Sequence, residues 1–231
     1  MIKINAQNAL AHKNPRAFIF DLDGTLVDSE KQIHGVILET SRLLEIEVIS
    51  YTQLHETLGL PLQAILQPLN LEPRKLAEFT SKFRQLLREE ITRGNQLFPD
   101  VISFLELVKA HNFVIGIATS KPTKLAKLVV KHSDLKSLID HTQGTDAFLP
   151  KPHPGVIFES MKCLKVNTAL MIGDRCEDMQ AAIAANIPGI GLAHSFHQEA
   201  ELISSGANLA YGSFGEAMRN FDEIVSCFEN L

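Results

Sequence analysis

Ala17-Phe18-Ile19-Phe20-Asp21-Leu22-Asp23-Gly24-Thr25-Leu26-Val27-Asp28-Ser29 is the stretch whose reading decides the fold. Ala17 to Phe20 is an unbroken apolar run, the pattern of a strand buried on both faces of a parallel sheet. Two carboxylates follow at once, Asp21 and Asp23, and Gly24 permits a sharp turn after them. In an open α/β sheet, ligands bind outside the carboxyl ends of the strands, so this junction is a candidate site. An anionic pair held there is costly unless a cation compensates it, and a hard divalent metal does so readily. A solvated acidic strand-to-loop junction is the plain alternative. A calcium loop fits poorly, because Gly24 comes too early and Gln32 stands where the closing Glu belongs.

Upstream, Met1 to Pro15 is a polar lead-in. Downstream, from Glu30 to about Asn95, apolar residues recur at helical spacing: Ile33, Ile37 and Leu38, then Leu43 and Leu44. Further helical segments cover Tyr51 to Leu58, Pro61 to Leu69 and Pro73 to Ile91, broken by Gly59, Pro61, Pro68 and Pro73. The expectation is an insertion of four or five helices. After Gly94 helices and strands alternate. Helices are expected over Pro99 to His111, Thr123 to Ser133, Pro154 to Leu164, Glu177 to Ala185 and Asp222 to Phe228. Strands are expected over Phe113 to Ala118, near Leu138 to Gln143, and over Ala169 to Ile172, Ile187 to Ala193 and Leu209 to Tyr211. Such alternation implies right-handed crossovers and a parallel sheet. The fold class is therefore α/β, a Rossmann-like doubly wound parallel sheet with an inserted helical domain. Residues 1–30 and 96–231 form the core and 31–95 the insert.

Three later segments end strands with chemistry. Thr119 closes the second core strand, so its hydroxyl and the following N–H groups face the same edge as Asp21; capping of the helix after Pro122 is an equally open role. Lys151 sits in Pro150-Lys151-Pro152-His153-Pro154, where three prolines imply a rigid, extended backbone and a fixed cation suited to phosphoryl oxygens and crowded carboxylates. Asp174 and Asp178 follow a strand as Gly-Asp-x-x-x-Asp, which puts both carboxylates on one side of the emerging first turn. Helix N-terminal acids complementing the dipole have the same spacing.

Asp-Leu-Asp-Gly-Thr-Leu-Val-Asp-Ser resembles the first motif of the haloacid dehalogenase superfamily, as its phosphatase members write it. Thr119, Lys151 with its prolines, and Gly173-Asp174 follow in that family's order, and the resemblance spans Ala17 to about Gly191. Within the superfamily the chain is similar to the phosphoglycolate phosphatase and β-phosphoglucomutase branch with a helical cap. The resemblance implies a phosphatase that acts through an aspartyl-phosphate. Asp21 would be the nucleophile and Asp23 the general acid/base. Thr119 and Lys151 would hold the equatorial oxygens. Mg2+ would be held by Asp21, the Asp23 main-chain carbonyl and Asp174, with Asp178 binding directly, through water, or only orienting Lys151. Ser120 would serve capping or contact with the helical cap. Phosphoglycolate or a sugar phosphate is the implied substrate type.

The alternatives are a β-phosphoglucomutase-like phosphomutase, a 2-haloacid dehalogenase and a non-catalytic binding module. His34 resembles the mutase branch's cap-linker histidine but stands one residue late. Dehalogenases need neither Asp23 nor Asp174, and the full residue set argues against a degenerate module. Arg175 replaces the Ser or Thr often found after Gly-Asp, and is expected either to touch substrate or to lie on the surface. Cys176 is a small spacer, and His55 and His153 are ordinary helix and loop residues. By analogy with family cap loops, Gly59 and Pro61 would shape a loop dipping toward the site.

Composition bounds the partners. The 231 residues are 45% hydrophobic and 21% charged with a net charge of -5, an ordinary globular balance with no electrostatic reason to bind nucleic acid or an anionic membrane. The three cysteines, Cys163, Cys176 and Cys227, lack metal or disulfide spacing. No apolar run could span a bilayer, so the expectation is a cytoplasmic monomer or weak homodimer acting on a small phosphate ester.

Overall fold

Strand β1, Arg16–Phe20, has Ala17 to Phe20 fully buried, as a strand covered on both faces requires. Its side chains alternate between two cores. Phe18 and Phe20 point into the larger one, while Ala17 and Ile19 join the smaller one across the sheet. Phe18 is the aromatic centre: the rings of Phe113, Phe228 and Phe221 lie 4.9, 5.7 and 5.9 Å from it. The computed structural model describes residues 15–47, 50, 52, 62–146, 148–195 and 197–230.

Six parallel strands form the sheet in the order β3-β2-β1-β4-β5-β6. They are β1, β2 (Val114–Ala118), β3 (His141–Gln143), β4 (Thr168–Gly173), β5 (Gly189–Leu192) and β6 (Leu209–Tyr211). The winding reverses between β1 and β4, and the crevice at such a switch point is where open α/β sheets bind ligands. The fold is the doubly wound α/β arrangement expected. Two six-residue helices were not expected, Glu199–Ser204 and Phe214–Arg219. At that length they show too little periodicity to be read. The first has a capping box between Gln198 and Glu201, and Ser213 caps the second through Glu216 N.

Between β1 and β2 the described elements are helical. Helix α1 is Glu30–Leu43, α2 is Leu62–Leu66 and continues as one 3-10 turn, α3 is Pro73–Arg93 and α4 is Val101–Ala110. The first three form the insert, against the four or five helices expected; the helix expected over Tyr51 to Leu58, and Gly59 and Pro61, lie outside the described residues. Helix α3 buries Phe79, Phe83, Leu87 and Ile91, four residues apart along one face. It packs on α1 and on the core helix α5, Thr123–Lys131. The chain enters and leaves the insert side by side: Asp28 N donates to Gln96 O, Phe98 N donates to Leu26 O, and Val27 bridges Leu97. No helix of the described residues is long and apolar enough to cross a membrane.

Candidate active site

Asp21 leaves β1 at the switch point, with its main-chain N–H on Ile172 O of β4 at 2.9 Å. Asp174 leaves β4 directly beside it. Gly24 lets the two strand ends approach. Its φ is +86°, and a Cβ there would lie 2.5 Å from Asp174 Oδ2. Gly173 does the same for Asp178, whose carboxyl group fills the space a Cβ would need. One carboxylate oxygen from each of Asp21, Asp174 and Asp178 lies within 4.8 Å of the others.

Lys151 braces this cluster. Its Nζ sits 2.7 Å from Asp21 Oδ1 and 2.5 Å from Asp178 Oδ1, and donates to Ala118 O at 3.2 Å. The residue is 7% exposed. Burial works against its charge, but Asp178 and Asp21 outweigh that and hold the ammonium above the usual lysine range. Its segment is not extended as expected: His153 N bonds Pro150 O at 3.0 Å and the Lys151-Pro152 peptide is cis, so the chain turns. The turn aims the lysine inward.

The carboxylates are buried with incomplete compensation. Burial pushes Asp21 up to about 6, with Asp178 adding to the rise and Lys151 opposing it. Burial likewise pushes Asp174 well above the carboxylate range, with Asp178 and Asp21 contributing. Asp174 Oδ1 accepts from Thr25 Oγ1 at 2.5 Å, while its Oδ2 has no hydrogen-bond partner among the described residues. Both Asp178 oxygens are engaged, Oδ1 by Lys151 and Oδ2 by Arg175 N at 3.1 Å. That second bond closes a capping box on the next helix, Cys176–Ala184, whose first turn Asp178 also occupies as the dipole-complementing acid of the alternative reading, so Asp178 serves that helix and Lys151 together.

Asp23, two residues past Asp21, points its Oδ2 at Lys121 Nζ, 2.8 Å away, and leaves Oδ1 without a hydrogen-bond partner among the described residues. Lys121 is held in turn: its N–H donates to Thr119 Oγ1 at 3.2 Å, and Thr145 Oγ1 donates to the neighbouring Ser120 O at 2.7 Å. Thr119 thus shapes its own loop and does not cap α5. Nor does Ser120, since Thr123 N, the first amide of that helix, is taken by Asp146 Oδ2 at 3.0 Å. Four carboxylates, Asp21, Asp23, Asp174 and Asp178, therefore meet two ammonium groups, Lys151 and Lys121. The deficit and the orphaned oxygen of Asp174 fit a hard divalent cation.

The family model for the haloacid dehalogenase-like hydrolases matches residues 18–192. This chain belongs to that family. Among curated relatives, the hydrolase is 28% identical over 208 residues to a probable phosphatase IndB of Dickeya dadantii, covering 87% of this chain and 90% of the relative. It is 28% identical over 224 residues to a phosphoglycolate phosphatase of Photorhabdus laumondii, covering 93% and 92%. A solved haloacid dehalogenase-like hydrolase from Streptococcus pneumoniae superposes with TM-score 0.79 at 26% identity, covering 90% of this chain and 98% of that one.

A cavity of about 470 Å³ opens between core and insert, lined by Asp21, Asp23, Thr119, Lys121 and residues of α1 to α3. Ile33 lines it, whereas His34, about 100° further round the helix, is not among its described lining residues. Among the described lining residues the linker histidine of the mutase branch thus has no counterpart. Arg175 is not on the surface: it is 7% exposed and its Nε bonds Glu177 Oε2 at 3.2 Å. His153 Nδ1 accepts from Gly155 N at 3.1 Å, and Cys176 Sγ faces Glu201 O at 4.0 Å; His55 lies outside the described residues. Three supporting residues went unread in the sequence: Lys121, Thr25 and His194. Thr25 stands inside the quoted first stretch, and Lys121 follows Thr119 by two residues. His194 Nε2 meets Gly24 O at 3.0 Å across 170 residues, with no local signal.

Proposed function

We propose that this hydrolase is a magnesium-dependent phosphatase that cleaves a small phosphomonoester through an aspartyl-phosphate on Asp21. The observation that carries the reading is the arrangement around one carboxylate: Asp21 is braced by Lys151 beside Asp174 and Asp178, and shares a cavity wall with Asp23. An Asp21 pKa of about 6 leaves the carboxylate mostly ionised at neutral pH. An Asp21 oxygen attacks phosphorus in line, and the bond to the leaving alcohol breaks as Asp23 donates its proton to that oxygen. Asp23, returned to its carboxylate, then takes a proton from the water that attacks phosphorus, releasing phosphate and regenerating Asp21. Lys151 offsets charge beside the attacked group, and Thr119, whose oxygen accepts from Lys121 N, keeps its hydroxyl hydrogen to donate. Asp21, Asp174 and the Asp23 main-chain carbonyl would hold Mg2+, which would supply positive charge against the phosphoryl oxygens. The insert, residues 31–95, serves as a cap that excludes water and selects the alcohol.

Phosphoglycolate, which names relatives of this chain, and sugar phosphates head the substrate panel. The test is phosphate release from small esters, with magnesium and with chelator, by the wild type and by Asp21→Asn. Magnesium-dependent release that falls by about 10³-fold or more in the variant is the expected result. Full activity of Asp21→Asn, or turnover indifferent to chelator, would overturn the reading.

A further inference from the structure

Asp23 and Lys121 leave different strands, β1 and β2, and meet with side chains only 10% and 7% exposed, Asp23 Oδ2 lying 2.8 Å from Lys121 Nζ. A buried ion pair contributes little net stability, because desolvating both groups offsets their attraction; what it can do is hold one arrangement. Here the arrangement separates the two oxygens of one carboxyl group. Oδ2 is occupied by the lysine, while Oδ1 is buried and has no hydrogen-bond partner among the described residues. Both residues line the cavity with Asp21.

The lysine is itself fixed from behind. Its N–H donates to Thr119 Oγ1 at 3.2 Å, its carbonyl accepts from Thr145 N at 3.3 Å, and Pro122 restricts its backbone further. The loop after β3 closes the clasp. Thr145 Oγ1 donates to Ser120 O at 2.7 Å, Gly144 N donates to Thr123 Oγ1 at 3.0 Å, and Asp146 Oδ2 accepts from Thr123 N at 3.0 Å. Gly144 is where that loop seats, since a Cβ there would lie 2.2 Å from Lys121 O. A backbone braced on this scale can fix a functional group through a second side chain.

Resting on the phosphatase reading, we infer that Lys121 is a positioning residue for Asp23: by taking Oδ2 it presents Oδ1 to the leaving oxygen. The same ammonium meets the charge left on Asp23 once its proton has passed to the departing alcohol. Lys151 stands on the other side of the reaction, 2.7 Å from Asp21 Oδ1. The two buried ammonium groups thus divide the site, one serving the nucleophile and the other the proton donor.

The test uses the full chain with magnesium. It compares kcat/KM on 4-nitrophenyl phosphate, whose alcohol departs as a stable anion, with that on the best alkyl ester of the panel, whose alkoxide needs a proton. The loss caused by Lys121→Met should be about tenfold or more greater on the alkyl ester than on the nitrophenyl ester, and Lys121→Arg should recover part of that difference. A merely structural role would lower both esters alike. On the alkyl ester the losses of Lys121→Met and Asp23→Asn should also fail to add in the double variant, because the two residues act as a unit. Should Lys121→Met not fold, Lys121→Gln carries the same comparison, and the double variant removes the buried charge imbalance altogether. Equal losses on the two esters, or losses that add in the double variant, would place Lys121 on the phosphoryl group or in the scaffold and overturn the inference. If wild type releases phosphate from neither ester, the phosphatase reading fails and takes the inference with it. If wild type is active, Asp21→Asn is silent and the Lys121 losses are equal, only the inference fails.

Discussion

At the scale of single residues, the cluster is defined by which charges are left over. Lys151 is the buried cation against Asp21 and Asp178, and both carboxylates touch it. Replacing one member of such a group with an apolar side chain leaves like charges facing one another without water. Lys151→Met is therefore expected to lower stability at neutral pH by about 3–5 kcal/mol, and to lose less at pH 5, where Asp21 takes up a proton. Urea unfolding at the two pH values measures the difference, and an equal loss at both would refute the account. Thr25 acts more locally. Its hydroxyl is the hydrogen-bond partner of Asp174 Oδ1 and fixes that carboxylate with Oδ2 unpaired. Thr25→Val keeps the shape and removes the donor, so magnesium affinity should fall about 10–100-fold while the fold survives. Titration of magnesium against the variant's thermal midpoint reads the affinity, and an unchanged value would show that Asp174 needs no such hold.

Among elements, the acidic loop after β1 is fastened from the far side of the sequence. The only role a carbonyl can take is acceptor, so His194 donates from Nε2 to Gly24 O, and its ring also stacks on Phe98, 4.0 Å away. Burial holds the His194 pKa below the usual range, which suits this neutral donor. The residue therefore joins three pieces: the loop after β5, the turn that carries Asp23, and the segment leaving the insert. His194→Phe preserves the stack and removes the donor. Its expected effect is a drop of about tenfold in kcat with KM nearly unchanged and a melting point within a few degrees of wild type. A variant that loses substrate affinity instead would place His194 in binding. Elements of this kind also mark where sequence reading stops. Asp21, Thr119, Lys151 and Asp174 could be picked out because each ends a strand or sits in a turn marked by Gly or Pro. The long strands and helices had clear periods for the same local reason. His194 and Lys121 have meaning only through partners brought near by the fold. No spacing announces them, just as two six-residue helices lacked the length to show a period.

For the molecule as a whole, the buried carboxylates tie stability to pH and, on the magnesium-dependent reading, to metal. Burial raises Asp21 to about 6 in the folded chain and also raises Asp174, while the unfolded chain keeps both near the ordinary value of 3.8. Between about pH 4 and pH 6 the folded state thus binds more protons than the unfolded state. Stability contributed by these groups is present at the acid end and declines as pH rises through that window, the reverse of a salt-bridged carboxylate. For Asp21 the decline is on the order of 2–3 kcal/mol in the metal-free protein. Removing its titration in Asp21→Asn should therefore make the variant increasingly more stable than wild type from pH 4 to about pH 7 in chelator. Magnesium changes the sign of the argument. Its ligands must be deprotonated, so its binding competes with protons and its stabilisation grows over the same window, reaching about 2.7 kcal/mol at a hundredfold excess over Kd. Thermal midpoints of wild type and Asp21→Asn, each with chelator and with magnesium, resolve the two effects across pH 4.5 to 7.5. Curves for the metal-free pair that run parallel would mean that Asp21 titrates no differently folded than unfolded. Curves that diverge in chelator, with magnesium stabilising wild type more as pH rises, are what a carboxylate site built to be completed by a cation requires.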